Sequence, residues 1–96
     1  MSLLKGAFLA TALLLASLSP AAAGAETDKA ISRAKEAIAK KDYRKAIREY
    51  ETALKAEPTN AKVMLLLGIT YAAVGEFEKA VKLTDASIQA EPSFSG

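Results

Sequence analysis

The chain has 96 residues, 13 Lys and Arg against 11 Asp and Glu, and neither Cys nor His. That length allows one small domain, and the near-balance of charge gives no strong field for nucleic acid or a membrane. Without Cys there is no disulfide framework or thiol nucleophile, and without His the commonest general base and nitrogen ligand are missing, so neither catalysis nor a metal or cofactor is expected.

The first element in chain order reads as a leader. Lys5 gives a short positive start, and Ala7 to Leu18 is an apolar run of 12 residues. As a helix that run would reach only ~18 Å, against ~30 Å of membrane hydrocarbon. Pro20 interrupts it, and small residues follow with two A-x-A sites, Ala21-Ala22-Ala23 and Ala23-Gly24-Ala25. This is the pattern of a signal peptide over residues 1–25, with cleavage after Ala25 and Glu26 as the first mature residue. An uncleaved anchor or a buried core helix is the plainer alternative, and the short span and small-residue exit weigh against both. With no Cys to accept lipid, a lipoprotein is excluded. The expected product is soluble and exported, into a bacterial periplasm or through a secretory route.

Four helical patterns follow. The first runs from about Asp28 to Lys40. In the second, Tyr43, Ala46, Ile47, Tyr50, Ala53 and Leu54 recur at helical spacing as one apolar stripe, and the pattern stops before Pro58. Asn60 is a suitable N-cap for the third, Ala61 to Val74, and Gly75 a suitable left-handed stop. The fourth repeats the stripe as Phe77, Ala80, Val81, Thr84, Ser87 and Ile88 and stops before Pro92.

Slid by 34 residues, Asp42 to Pro58 lies over Glu76 to Pro92, with Lys45/Lys79, Ala46/Ala80 and the triplet Ala56-Glu57-Pro58/Ala90-Glu91-Pro92 identical. A fixed period of this kind marks a stacked repeat. In the second unit Met64, Leu67-Gly68, Tyr71, Ala80, Thr84 and Pro92 fall on the spacing W-x2-L-G-x2-Y…A-x3-F…P, and the sequence resembles the tetratricopeptide repeat family. Met64 and Thr84 replace aromatic residues there. The first unit keeps Ala46, Tyr50 and Pro58 but has Arg33, Ala34 and Ala37 where Leu, Gly and Tyr stand in the pattern. The expected fold is all-α, a short α-solenoid of two stacked helix-turn-helix repeats, residues 27–60 and 61–94 of a mature segment 26–96.

The spacing has physical reasons. Gly68 and Ala80 are small so that the two helices of a repeat can approach closely. Tyr71 and Phe77 are expected to fill the volume between them. Lys41 stands where Gly75 stands in the other repeat, and so is expected in a left-handed conformation.

In the resembled family the first helix of each repeat lines a concave binding groove. The resemblance places Lys62, Leu65, Leu66, Ile69, Ala72 and Ala73 there in the second repeat. Asp28, Ile31, Ser32, Lys35, Ile38 and Ala39 are their counterparts in the first. The segment Lys62 to Gly75 is apolar almost all round, and such a helix needs cover on more than one side. Three covers compete: a third repeat, which would make this chain the N-terminal fragment of a longer array; a second copy; or a partner's helix or extended peptide in the groove. The terminal residues Pro92 to Gly96 supply no capping helix. The family's clamp of Lys and Asn for a terminal carboxylate is not reproduced by Ile31, Lys35, Leu65 and Ile69, so a hydrophobic ligand segment fits better.

Lys40, Lys41, Arg44, Lys45 and Arg48 form a basic stretch within a first repeat that has 9 Lys and Arg against 6 Asp and Glu from Thr27 to Asn60. Tyr43 and Tyr50 belong to the buried stripe, so no stacking platform for bases accompanies the charge. Lys45 can pair with Glu49 and Arg48 with Glu51, and a solvated face is the expected reading. The expected role is protein–protein interaction, as an adaptor or scaffold in a cell-envelope process. A surface for an anionic polymer or membrane is the weaker alternative.

Overall fold

The structure is a computed structural model that describes residues 19–91. The leader core Ala7–Leu18 and the segment Pro92–Gly96 lie outside the described residues. Between them run four helices: α1 (Pro20–Ala39), α2 (Tyr43–Ala56), α3 (Ala61–Ala73) and α4 (Phe77–Ala90). Helix α1 packs on α2 and α3 on α4, and the two hairpins join through α2 on α3. The described residues are thus all-helical, two helix-turn-helix units stacked side by side.

Helix α1 starts at Pro20, upstream of the expected Asp28. The cause is local: the Ser19 hydroxyl accepts from the Ala22 N–H at 3.2 Å, and Pro20 takes the first helical position, where its missing N–H costs nothing. The alanine-rich stretch behind it then propagates the helix. Along α1 the buried positions Ala23, Thr27, Ala30, Ala34 and Ala37 recur every three or four residues, and all are small. They meet Ala46 and Ala53 of α2, both fully buried, so the first hairpin closes on a narrow seam.

Both hairpins turn by the same device. After α1, the Lys41 N–H donates to Ile38 O at 2.8 Å and the Asp42 N–H to Ala37 O at 2.8 Å. After α3, the Gly75 N–H donates to Ala72 O at 3.0 Å and the Glu76 N–H to Tyr71 O at 2.9 Å. Each is a Schellman closure, which requires a left-handed residue in the middle. Gly75 supplies φ 84° without cost, whereas Lys41 is held at φ 61°. The left-handed region costs a non-glycine residue ~1–2 kcal/mol, and glycine gives back ~0.5–1 kcal/mol through its freer unfolded chain. Lys41→Gly is therefore expected to stabilise the protein by about 0.5–1 kcal/mol, raising Tm by roughly 2–8 °C in a circular-dichroism melt. A lower Tm would contradict the strain at this turn.

Helix α3 is covered from within on two sides. Val63, Leu67, Thr70 and Tyr71 are buried between its neighbours α2 and α4, and Met64, Leu65, Leu66, Ala72 and Val74 are half-buried. Gly68 meets α4 so closely that an added Cβ would lie 3.2 Å from Ala80 O. The apolar circumference of this helix is thus mostly internal, with Ile69 as its open point at 58% exposure. Phe77 departs from expectation. It is 66% exposed and does not fill the volume between α3 and α4. It lines instead an open hollow together with Ala72 of α3 and Val81 of its own helix.

Candidate functional site

The groove positions divide by burial. Lys35, Lys62, Ile69 and Ala73 are exposed, as are Asp28, Ser32 and Ala39. Ile31, Ile38, Leu65 and Leu66 are half-buried, and Ile31, Ile38, Leu66 and Ala72 rest directly on the core. Because the principal packings are sequential, α1 and α3 are bridged by α2 and pack little on each other. The groove wall is therefore narrower than the sequence implies. Ile69 is its one strongly exposed large apolar side chain, one helical turn from the half-buried Leu65 and Leu66.

All five basic residues, Lys40, Lys41, Arg44, Lys45 and Arg48, are exposed. Arg44 reaches Glu76 at 3.3 Å and so ties the start of α2 to the start of α4, across the two hairpins. The expected local pairs do not form. Glu49 instead accepts from Arg33 of α1 at 3.0 Å, and Glu51 accepts from the Tyr71 hydroxyl at 3.3 Å. Contacts between helices thus replace contacts along one helix, because hairpin packing brings these groups face to face. At such exposure each ion pair contributes ~0–1 kcal/mol. Lys79 Nζ sits over the Tyr71 ring, 5.3 Å from its centre. Burial, reinforced by the Glu51 carboxylate, pushes the Tyr71 phenol above its ordinary pKa, and burial alone does the same for Tyr50. Both phenols stay neutral at physiological pH, in structural roles.

A second open surface lies on α4. Phe77, Val81 and Ile88 are exposed at 66%, 59% and 37% and lie along one side of the helix. Beside them Ala72, Phe77, Ala80, Val81, Thr84 and Asp85 line a shallow hollow of about 360 Å³. The sequence showed these residues only as a core stripe. The 34-residue period contains the missing signal, because their counterparts Tyr43, Ile47 and Leu54 lie on α2, where α3 covers them.

Antiparallel helical hairpins stacked side by side, with apolar positions left open on outward faces, define a helical-repeat binding module. The tetratricopeptide repeat family matches residues 37–95, and the chain belongs to that family, whose repeats serve protein–protein interaction. Most of α1 precedes the matched stretch, in keeping with Arg33 and Ala34 at positions where the motif has Leu and Gly. The chain is 36% identical over 58 residues to Small glutamine-rich tetratricopeptide repeat-containing protein 2 of Saccharomyces cerevisiae, a stretch that is 60% of this chain and 17% of the yeast protein. The chain thus spans less than a fifth of that relative. Among the described residues no helix is long and apolar enough to cross a membrane.

Proposed function

We infer that the chain is an exported binding module, an adaptor or scaffold in a cell-envelope process, that holds an apolar helix or extended segment of another protein along the α1–α3 face. The observation that carries this reading is Ile69, 58% exposed at the centre of that face with Leu65 and Leu66 beside it. An apolar side chain of this size in water is worth ~1.5–3 kcal/mol to any partner that buries it. Binding is the role, not catalysis: the chain has neither His nor Cys, and its two perturbed phenols are structural. Export is supported by the leader pattern of residues 1–25. The six residues Pro20 to Ala25 form the beginning of α1, so cleavage after Ala25 would leave this helix to start near Thr27. That start corresponds, one period earlier, to Ala61 at the start of α3.

One experiment tests the whole reading. Protein recovered from the envelope fraction is expected to begin at Glu26 by mass, and, used as bait, to retain defined partners. Ile69→Lys changes an exposed residue, so folding should survive while capture falls by at least about tenfold. Arg44→Glu with Arg48→Glu should leave capture intact. Equal capture by Ile69→Lys would move the site off this face, and loss of capture only in the arginine variant would favour the anionic-ligand alternative.

A further inference from the structure

Both A-x-A sites of the leader pattern lie inside α1. The helix opens at Pro20 and runs through Ala21, Ala22, Ala23, Gly24 and Ala25 without a break. Ala23 belongs to both sites and is 8% exposed, on the same buried line as Thr27 and Ala30, whereas Ala21 and Ala25 are exposed. The Thr27 hydroxyl, on a residue 2% exposed, donates to Ala23 O at 3.0 Å. Behind it the Ala23 N–H donates to Ser19 O at 2.9 Å. Gly24 is a weak helix former, so the Ser19 cap and the burial of Ala23 and Thr27 help to hold this turn.

That placement decides when the sites can be read. A peptidase that selects small side chains two residues apart must take both into pockets on its own side. In an extended chain alternate side chains point the same way, so Ala23 and Ala25 can enter together. In a helix, residues two apart lie ~200° apart around the axis and point in opposite directions. Here Ala23 faces the interior and Ala25 the solvent. Ala21 and Ala23 are divided in the same way. The pair is therefore legible only before α1 forms, or while its first two turns are open. Opening them leaves the central core intact, because that core begins at Ala30.

We propose that the folding of α1 closes the cleavage site, so that the leader is removed from the unfolded chain and a copy that folds first keeps it. This rests on the export reading and adds to it the order of processing and folding. The step is hydrolysis of the Ala25–Glu26 amide by an external peptidase, with water leaving a carboxylate on Ala25 and a new amino terminus on Glu26.

The full-length chain, refolded and then given a bacterial signal peptidase in detergent, tests this, with cutting followed by mass. The folded wild type should be cut at least about tenfold more slowly than Tyr50→Ala, whose lost core leaves α1 unpacked. Asp28→Pro isolates the local effect. Asp28 is exposed, and proline there suits a helix that starts at residue 28 while excluding the turn before it. This variant should keep a cooperative melt yet be cut within about threefold of the Tyr50→Ala rate. In the Tyr50→Ala background the same proline should change the rate by less than about twofold, which separates its action on the helix from any on the peptidase. A folded wild type cut as fast as Asp28→Pro overturns the proposal and leaves the export reading standing. So does an Asp28→Pro variant that folds and is protected like the wild type. Should Tyr50→Ala keep its fold, the wild type and Asp28→Pro decide the matter between them. If neither variant is cut at all, the export reading falls and the proposal with it.

Discussion

Gly68→Val is expected to lower the stability of the second hairpin by about 2 kcal/mol, enough to reduce Tm by roughly 8–16 °C in a domain of this size. The reason is distance. A Cβ at this position would stand 3.2 Å from Ala80 O, 3.3 Å from Thr84 Oγ1 and 3.4 Å from Leu83 Cβ. The first of these is main chain and cannot swing aside. It also accepts the Thr84 hydroxyl at 2.8 Å, so moving it disturbs a hydrogen bond. The first repeat shows what a single methyl entails, because Ala34 occupies the equivalent position, fully buried. Gly68→Ala should accordingly stay within about 1 kcal/mol of wild type, as the methyl's crowding offsets its gain in helix propensity of ~1 kcal/mol. Valine adds two further methyls that have nowhere to go. Thermal melts of the two variants beside the wild type settle the matter: a valine variant that melts with the parent would mean that α3 and α4 are further apart than described.

Tyr50→Ala should have a larger effect. Tyr50 is 1% exposed and is the largest of the fully buried side chains, in the core formed by α1, α2 and α3 with Ala80 of α4. Truncating a buried aromatic to alanine costs ~3–5 kcal/mol through lost burial and the cavity left behind. A core of this size supplies only ~3–5 kcal/mol of net stability. The variant is therefore expected to lose its cooperative melt altogether, read as a broad, shallow loss of ellipticity at 222 nm. Tyr43→Ala, at a half-buried position of the same helix, is the graded control and should retain a transition at lower temperature. A sharp, wild-type melt for Tyr50→Ala would place the core elsewhere.

Much of the architecture can be read from residues alone, for specific reasons. The 34-residue period, the stripes on α2 and α4, the small Gly68 and Ala80, and the left-handed Lys41 all express contacts within a hairpin, which recur wherever the motif recurs. What resists reading is whatever depends on a neighbour. Tyr43 and Phe77 hold the same place in the period and look alike as letters, yet only Tyr43 has a helix stacked over it. The groove positions share one face of the repeat pattern, but Leu66 and Ala72 lean on the core because side chains at the edge of a helix divide between two environments. The Arg33–Glu49 pair joins residues on different helices and has no local spacing to announce it. At the N-terminal end one signal has two readings: Ser19-Pro20 interrupts the apolar run of the leader pattern and also caps and opens a helix.

The light burial of α4 among the described residues has a thermodynamic consequence. Only Ala80 and Ser87 of α4 are fully inside, whereas α2 buries Ala46, Ile47, Tyr50 and Ala53. The free energy of local opening must therefore fall along the molecule from α2 towards α4, and amide protons of α4 should exchange with deuterium well before those of α2. A solenoid of two hairpins is in that sense graded, with its most labile segment at the end where its greasiest residues are on show.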